Sequence, residues 1–338
     1  MNLKENLNNA LDEKEVEKTP AASITSVALM ESMDKMGIHF PEGHTDPEKM
    51  AKIGASAYEY AGVEGINIPF DLAIESEAIG CTVDLGYGEK IPEITSTPFE
   101  EPADIEIPDD FLENGRIPVV GKSLQILHEQ YDDKNVPIIG GMIGPFTLLG
   151  QLLGIENLLK YLNTDLYEVE DALDIVGDGL IELIHVLNEC EPDAVCMYEP
   201  SVAADLLDPA IFHQLVCPVL ESISEEMEFR GVLHVCGNST PIIKDMLSCG
   251  FKGISIEDSV DINYIKQAKK ELKSPTQICG NISTNQTLFM KSPKEVIDES
   301  LIALEKGVDV LGPSCCVAPH TPLKNMQAMV EARDKFYS

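Results

Sequence analysis

Seven short apolar runs recur along the chain with longer helical patterns between them, and this alternation constrains the fold more than any other feature of the sequence. The runs are GINIPF (65–70), VPIIGG (136–141), DAVCMY (193–198), GVLHVC (231–236), GISIED (253–258), TQICGN (276–281) and VDVLGP (308–313). Bounded by turn residues and too short for helices, they predict strands buried on both faces. Between them stand FTLLGQLLGIENLLKYL, LYEVEDALDIVGDGLIELIHVLNE, PAIFHQLVCPVLESISEEME and PKEVIDESLIALEKG, which predict covering helices. Parallel neighbours are reached only by a crossover, so this order makes a parallel sheet wrapped in helices.

A closed barrel and an open doubly wound sheet share that alternation. The barrel is favoured because Asp71, Glu199, His234, Cys236, Glu257, Asn281 and Cys315 fall at the carboxyl ends of successive runs, and a barrel rings all those ends around one mouth. No GxGxxG, Walker loop or repeat is present. The expected architecture is an α/β fold, a (β/α)8 TIM barrel over 61–338 behind an N-terminal helical extension over 1–60. The eighth strand falls in 81–120, or that region is a loop-rich insertion. In the extension, LKENLNNALD and SVALMESMDKMG have helical spacing, the second closed by Gly37. The stretch TDPEKMAKIGASAYEYAG opens with Thr45 as N-cap and Glu48 reaching back to it.

Acidic residues number 58 against 24 basic ones, a net charge of -34 spread along the chain. So few scattered Lys and Arg build no basic groove or polybasic patch, which excludes nucleic acid and membrane insertion or anchoring as modes of action. An excess this large predicts a salt-rich surrounding in which self-repulsion is screened. The nine cysteines show no framework spacing, and the opening MNLKENLNNALDEKEVEKTP is too polar for a signal peptide. Both observations predict a reducing cytoplasm.

The chemistry gathers in GVLHVCGNST (231–240), SIED (255–258) and GPSCCVAPHTP (312–322). Residues two apart on a strand point the same way, so His234 and Cys236 converge at a strand end. Adjacent cysteines point apart, so one of the pair 315–316 is a ligand and the other packs. His234, Cys236 and Cys315 form a Cys2His set that suits zinc with one open position, and Glu257 and Asp258 at the end of the neighbouring strand offer a carboxylate for that corner. Zinc lowers the pKa of a bound thiol, while two protein thiolates blunt its Lewis acidity, so thiolate alkylation fits better than hydrolysis. No HExxH base is present. Arg230 opens a strand and belongs at the opposite end of the barrel. His39, His44, His128, His185 and His213 have no partner at ligand spacing and read as surface or helix-packing residues, whereas His320 follows the cysteine pair toward the mouth.

The segments HVCG, IED, ICGNIS and LGPSCCVAP, with GINIPFDLAIESEAIGC and GGMIGPFTLLG, resemble the uroporphyrinogen decarboxylase superfamily, and most closely its methylcobamide:coenzyme M methyltransferase branch. The resemblance runs over roughly residues 5–333. It implies a barrel with a funnel at the carboxyl ends of the strands and one zinc ion per chain. The ligands carry over to His234, Cys236 and the cysteine after Gly312, Pro313 and Ser314, which is Cys315. Glu257 completes the shell before the thiol arrives. Where the branch usually has glycine after the later cysteine, this chain has Cys316.

The reaction implied is transfer of a methyl group from a methyl-cobalt(III) corrinoid, supplied by a partner protein, to the thiolate of coenzyme M in methanogenesis from methylated compounds. Gly144, with Gly141 and Pro145, would form a close-approach loop, and Asn238, Asn281 and Ser283 would line the sulfonate site or the funnel wall. A related zinc methyltransferase acting on another thiol or a methoxylated substrate is the alternative. A uroporphyrinogen decarboxylase is disfavoured, because EKTPAASITSVALMESM holds none of the arginines that bind porphyrinogen carboxylates.

Overall fold

In the computed structural model, which describes residues 1–338, each of the seven runs forms a strand. They are β1 (Ile66–Asn67), β2 (Ile138–Ile143), β3 (Ala194–Tyr198), β4 (Arg230–Val235), β5 (Gly253–Ile256), β6 (Gln277–Ile282) and β7 (Val310–Pro313). All pair in parallel, in chain order. The curled sheet and its surrounding helices make a (β/α)8-type barrel.

The remaining gap in the wall is filled from before β1. Leu311 donates to the Pro20 carbonyl at 2.9 Å and Ala22 to that of Leu311 at 3.0 Å. On the other side Glu64 donates to the Ala21 carbonyl at 2.9 Å, and Asn67 Nδ2 to that of Ser23 at 2.8 Å. Residues 20–23 therefore belong to the wall, although they lie within the span read as a helical extension. The region 81–120 holds no barrel strand. It carries an antiparallel pair, Thr82–Asp84 with Glu93–Ser96, whose residues are mostly exposed, as a hairpin overhanging the mouth requires.

The opening helix α1 (Leu3–Leu11) plugs the amino end. Its Leu7 and Leu11, 0% and 1% exposed, meet the inward side chains of Ile139, Val232, Cys279 and Val310. Its flank is tied by Asp12 to Arg230 at 2.8 Å, which puts Arg230 at the end expected. A second, larger core lies between the strands and the helices.

Three local readings shift. Asp46, followed by Pro47, caps the helix Pro47–Ala61, accepting from Glu48 at 2.9 Å and Lys49 at 3.1 Å; Thr45 instead donates to the Pro41 carbonyl. The pattern 146–162 splits at Gly154 into Pro145–Leu153 and Ile155–Thr164. The pattern 209–228 contains a π-helical turn at Phe212–Val216, ahead of Pro218. Proline lacks the N–H an α-helix needs there and crowds the carbonyl four residues back, and a wider turn relieves both.

Candidate metal centre

The register brings the chemistry to one level. Tyr198 on β3 is beside His234 on β4, His234 beside Ser255 on β5, and Ser255 beside Cys279 on β6. Partners in a parallel ladder share a face, so the inward side of Cys279 fixes the inward side of His234. His234 Nε2 lies 3.0 Å from Cys236 Sγ and 3.4 Å from Cys315 Sγ, and the two sulfurs are 3.0 Å apart. The imidazole is fully buried and both thiols are half-buried at the rim.

The neighbours fix this geometry. His234 Nδ1 is 3.0 Å from Ser255 Oγ and 3.2 Å from the Ser255 carbonyl, which places the ring proton on Nδ1 and frees Nε2. Ser255 is a functional residue that sequence reading passed over, although its spacing of two from Glu257 already put it on the inward face. Burial works to lower the His234 pKa, and the Cys315, Cys316 and Glu257 groups outweigh it, so the net direction is upward. After Cys236 the chain turns sharply at Gly237, whose φ of +75° suits glycine. Glu257 is not within the trio. It accepts from Ser314 Oγ at 3.1 Å beside it, with its pKa raised by burial.

The other expected residues separate. Gly144 is close to Glu199: a Cβ there would stand 2.2 Å from Glu199 Cγ, so the residue is small to admit that carboxylate. Glu199, fully buried, accepts from Phe146 N at 2.7 Å, Thr147 N at 3.0 Å and Thr147 Oγ1 at 2.6 Å, capping the helix Pro145–Leu153; burial pushes its pKa up to about 7. Asn281 gives its amide to the Glu257 and Val260 carbonyls, both at 3.3 Å, and buried Ser283 caps the π-turn Thr284–Phe289. Asn238 is exposed, its backbone N–H reaching Asp205. His320 pairs with Glu89 on the hairpin side. Asp71 is held by Arg116 at 2.7 and 3.0 Å with His44 Nδ1 at 3.1 Å; burial would raise its pKa, but these partners hold it at about 2. His44 is fully buried in that cluster and is not a surface residue.

A cleft of about 700 Å3 opens beside the trio, lined by Tyr198, Phe70, Pro92, Cys316 and Pro319 among others, a size that takes a small organic ligand. Cys316 is exposed on that cleft, while Cys315 faces His234.

The donor set fits zinc. One imidazole nitrogen and two sulfurs all lie within 4.8 Å of one another, the imidazole is oriented through its other nitrogen, and the sulfurs stay open to the rim. The set alone is weaker for magnesium or calcium, which prefer oxygen.

The chain resembles proteins of known name along its whole length. The family model described as Uroporphyrinogen decarboxylase (URO-D) matches residues 2–336. A methylcobamide:CoM methyltransferase MtaA from Methanosarcina barkeri (strain Fusaro / DSM 804) is 37% identical over 99% of this chain and 98% of its own. A methylcobamide:CoM methyltransferase MtbA from Methanosarcina acetivorans is 31% identical over 98% of both chains. The solved structure of a methyltransferase from Methanosarcina mazei superimposes with a TM-score of 0.95 at 35% identity, covering 100% of each chain.

Proposed function

The chain belongs to the uroporphyrinogen decarboxylase family, on the branch of the methylcobamide:CoM methyltransferases, and from that premise we propose that it moves a methyl group from a methyl-cobalt(III) corrinoid to the sulfur of coenzyme M. The observation that carries this reading is the meeting of His234, Cys236 and Cys315 at the mouth, beside a cleft of suitable size. In the reaction a carbon–sulfur bond forms as the carbon–cobalt bond breaks. The bonding pair stays on cobalt, giving cobalt(I), and the thiol proton leaves. The product is methyl-coenzyme M, as methanogenesis from methylated compounds requires.

His234, Cys236 and Cys315 would hold a zinc ion, and Glu257 would be the nearby carboxylate available to it. Zinc bound there lowers the pKa of a thiol so that it is a thiolate at neutral pH. Ser255 holds the His234 ring in position, and Ser314 holds Glu257. The cleft beside Tyr198 and Cys316 receives the substrate, and alignment of sulfur and methyl carbon there supplies much of the rate. Asn238, exposed after the end of β4, would be the neutral donor available to the sulfonate, because Asn281 gives its amide to the Glu257 and Val260 carbonyls and Ser283 caps the turn after β6. The corrinoid arrives on a partner protein whose cobalt face must reach the mouth. No helix is long and apolar enough to cross a membrane.

The test follows methylcobalamin and coenzyme M spectroscopically, with metal analysis on the same sample. Chelated protein should stay folded, lose methyl transfer and regain it on adding Zn2+. Full activity in folded, metal-free protein would overturn the zinc assignment. X-ray absorption at the zinc edge should show an oxygen ligand exchanged for sulfur when coenzyme M is added.

A further inference from the structure

A second group of soft and hard donors lies in the helical layer, away from the trio. His213 and Cys217 are four apart across the π-helical turn Phe212–Val216, while Asp245 lies on the short helix Ile243–Met246 and Cys249 in the turn that follows it. Spacing by four places His213 and Cys217 on one side of their helix, and Asp245 meets them there. The imidazole nitrogen of His213, the sulfur of Cys217 and a carboxylate oxygen of Asp245 all lie within 4.8 Å of one another, with His213 Nδ1 and Asp245 Oδ1 at 2.8 Å. Cys249 Sγ donates to the Asp245 carbonyl at 3.2 Å, and the adjacent Cys217 thiol pushes the Cys249 thiol well up.

Three features raise this above packing of a surface ion pair on two core thiols. The sulfurs are buried, Cys217 at 6% and Cys249 at 0% exposure, while the His213 side chain is 74% exposed, so an ion could enter from solvent against a fixed sulfur floor. The donors come from two segments that follow successive strands, so an ion would clamp one to the other, as metals do between facing helices. The π-turn ahead of Pro218 carries His213 and brings its imidazole to within 4.8 Å of the Cys217 sulfur and an Asp245 carboxylate oxygen.

We propose that His213, Cys217 and Asp245 form a second binding site for a zinc-class divalent cation, structural in role, with Cys249 beside it. Imidazole, thiolate and carboxylate together suit zinc, and the mixed set is a poor one for magnesium or calcium. The ion would fix the segment 209–225 to the turn 243–249. The loops that precede those segments also meet at the barrel mouth, where Ala204 donates to the Asn238 carbonyl at 3.0 Å. The site stands apart from the methyl-transfer reading and would exist even if that reading failed.

The experiment counts zinc in the full chain, purified reduced and passed over a desalting column, and titrates chelated protein with Co2+, read by thiolate-to-cobalt absorption. Wild type should hold about two equivalents, and Cys315→Ala about one. His213→Ala/Asp245→Ala should also hold about one, while keeping methyl transfer. His213→Ala alone, a change at an exposed side chain, secures the test against misfolding and should weaken the second Co2+ step by at least about tenfold. A chain that takes up one equivalent, lost in Cys315→Ala and unchanged in His213→Ala/Asp245→Ala, would overturn the proposal. One equivalent kept in Cys315→Ala and lost in His213→Ala/Asp245→Ala would instead support this site and count against the trio.

Discussion

At the amino end of the barrel Arg230 meets Asp12, and Asp193 is met by Asn8 and Lys4, whereas at the carboxyl end His234, Cys236 and Cys315 face one another with no ion pair among them. The amino end is closed by α1, and its inward side chains are filled by Leu7 and Leu11. The carboxyl end leaves sulfurs half-buried beside an open cleft. One end is therefore packed and paired, and the other gathers an imidazole and two thiols beside open space. A mutation at the amino end should cost folding energy and leave chemistry alone, and one at the carboxyl end should do the reverse.

The largest effect sharpens that contrast at the mouth. Cys236→Ala and Cys315→Ala should each remove the bound zinc and lower methyl transfer by more than about 100-fold, with unchanged urea midpoints in metal-free protein. Cys316→Ala should leave most of the zinc in place. Metal analysis and initial rates decide it, and full retention of zinc by the Cys315 variant would move the ligand role to Cys316.

The plug should respond in the other currency. Leu11 is 1% exposed inside the barrel floor, and Leu11→Ala should destabilise the fold by about 2–4 kcal/mol through lost burial and a cavity. Urea unfolding measures it, and the KM for coenzyme M and the zinc content should not move. A raised KM would show that the floor communicates with the mouth.

Glu199 and Glu75 are buried carboxyls whose pKa values burial pushes up to about 7, well above the ordinary carboxylate range. Across that window the folded chain keeps protons that the unfolded chain has released. Stability therefore falls as pH rises from the carboxylate range toward 7 and levels off above it. The change is at most about 3 kcal/mol per group. Glu199→Gln should flatten roughly half of the slope, and Glu199→Gln/Glu75→Gln nearly all of it, in chemical unfolding measured from pH 5 to 8. Zinc-site variants should keep the slope.

The strands and the zinc-type residues were legible because both are written as local pattern: apolar runs of six, and His-x-Cys at period two. The eighth stave was hidden because residues 20–23, Pro-Ala-Ala-Ser, carry only small side chains and are held by backbone bonds to Leu311 and Glu64, so no apolar run marks them. Gly144 was visible as a close approach, but only the tertiary fold shows that Glu199 is the group approaching. His213 was read as unpartnered because Asp245 stands 32 residues away, while the Cys217 beside it at period four was present in the sequence and went unused. Ligand sets that cross from one segment to another need the structure; those within a strand do not.

The smallest effect tests the amino end at its ion pair. Arg230 Nη2 and Nε reach the two Asp12 oxygens at 2.8 and 3.2 Å, with the side chains 26% and 16% exposed. Burial works to raise the Asp12 pKa, but the hydrogen bonds and charges of Arg230 and Lys14 outweigh it, so the net direction is down from 3.8. A carboxyl lowered on folding stabilises above its unfolded value and loses that contribution as pH falls through its folded value. Arg230→Ala should therefore cost about 0.5–1 kcal/mol at pH 7 and progressively less below pH 4, with methyl transfer unchanged. Because a solvent-touching pair is worth so little, the plug's stability must come from Leu7 and Leu11, and an Arg230 variant that loses as much as Leu11→Ala would show that charge, not burial, closes the barrel floor.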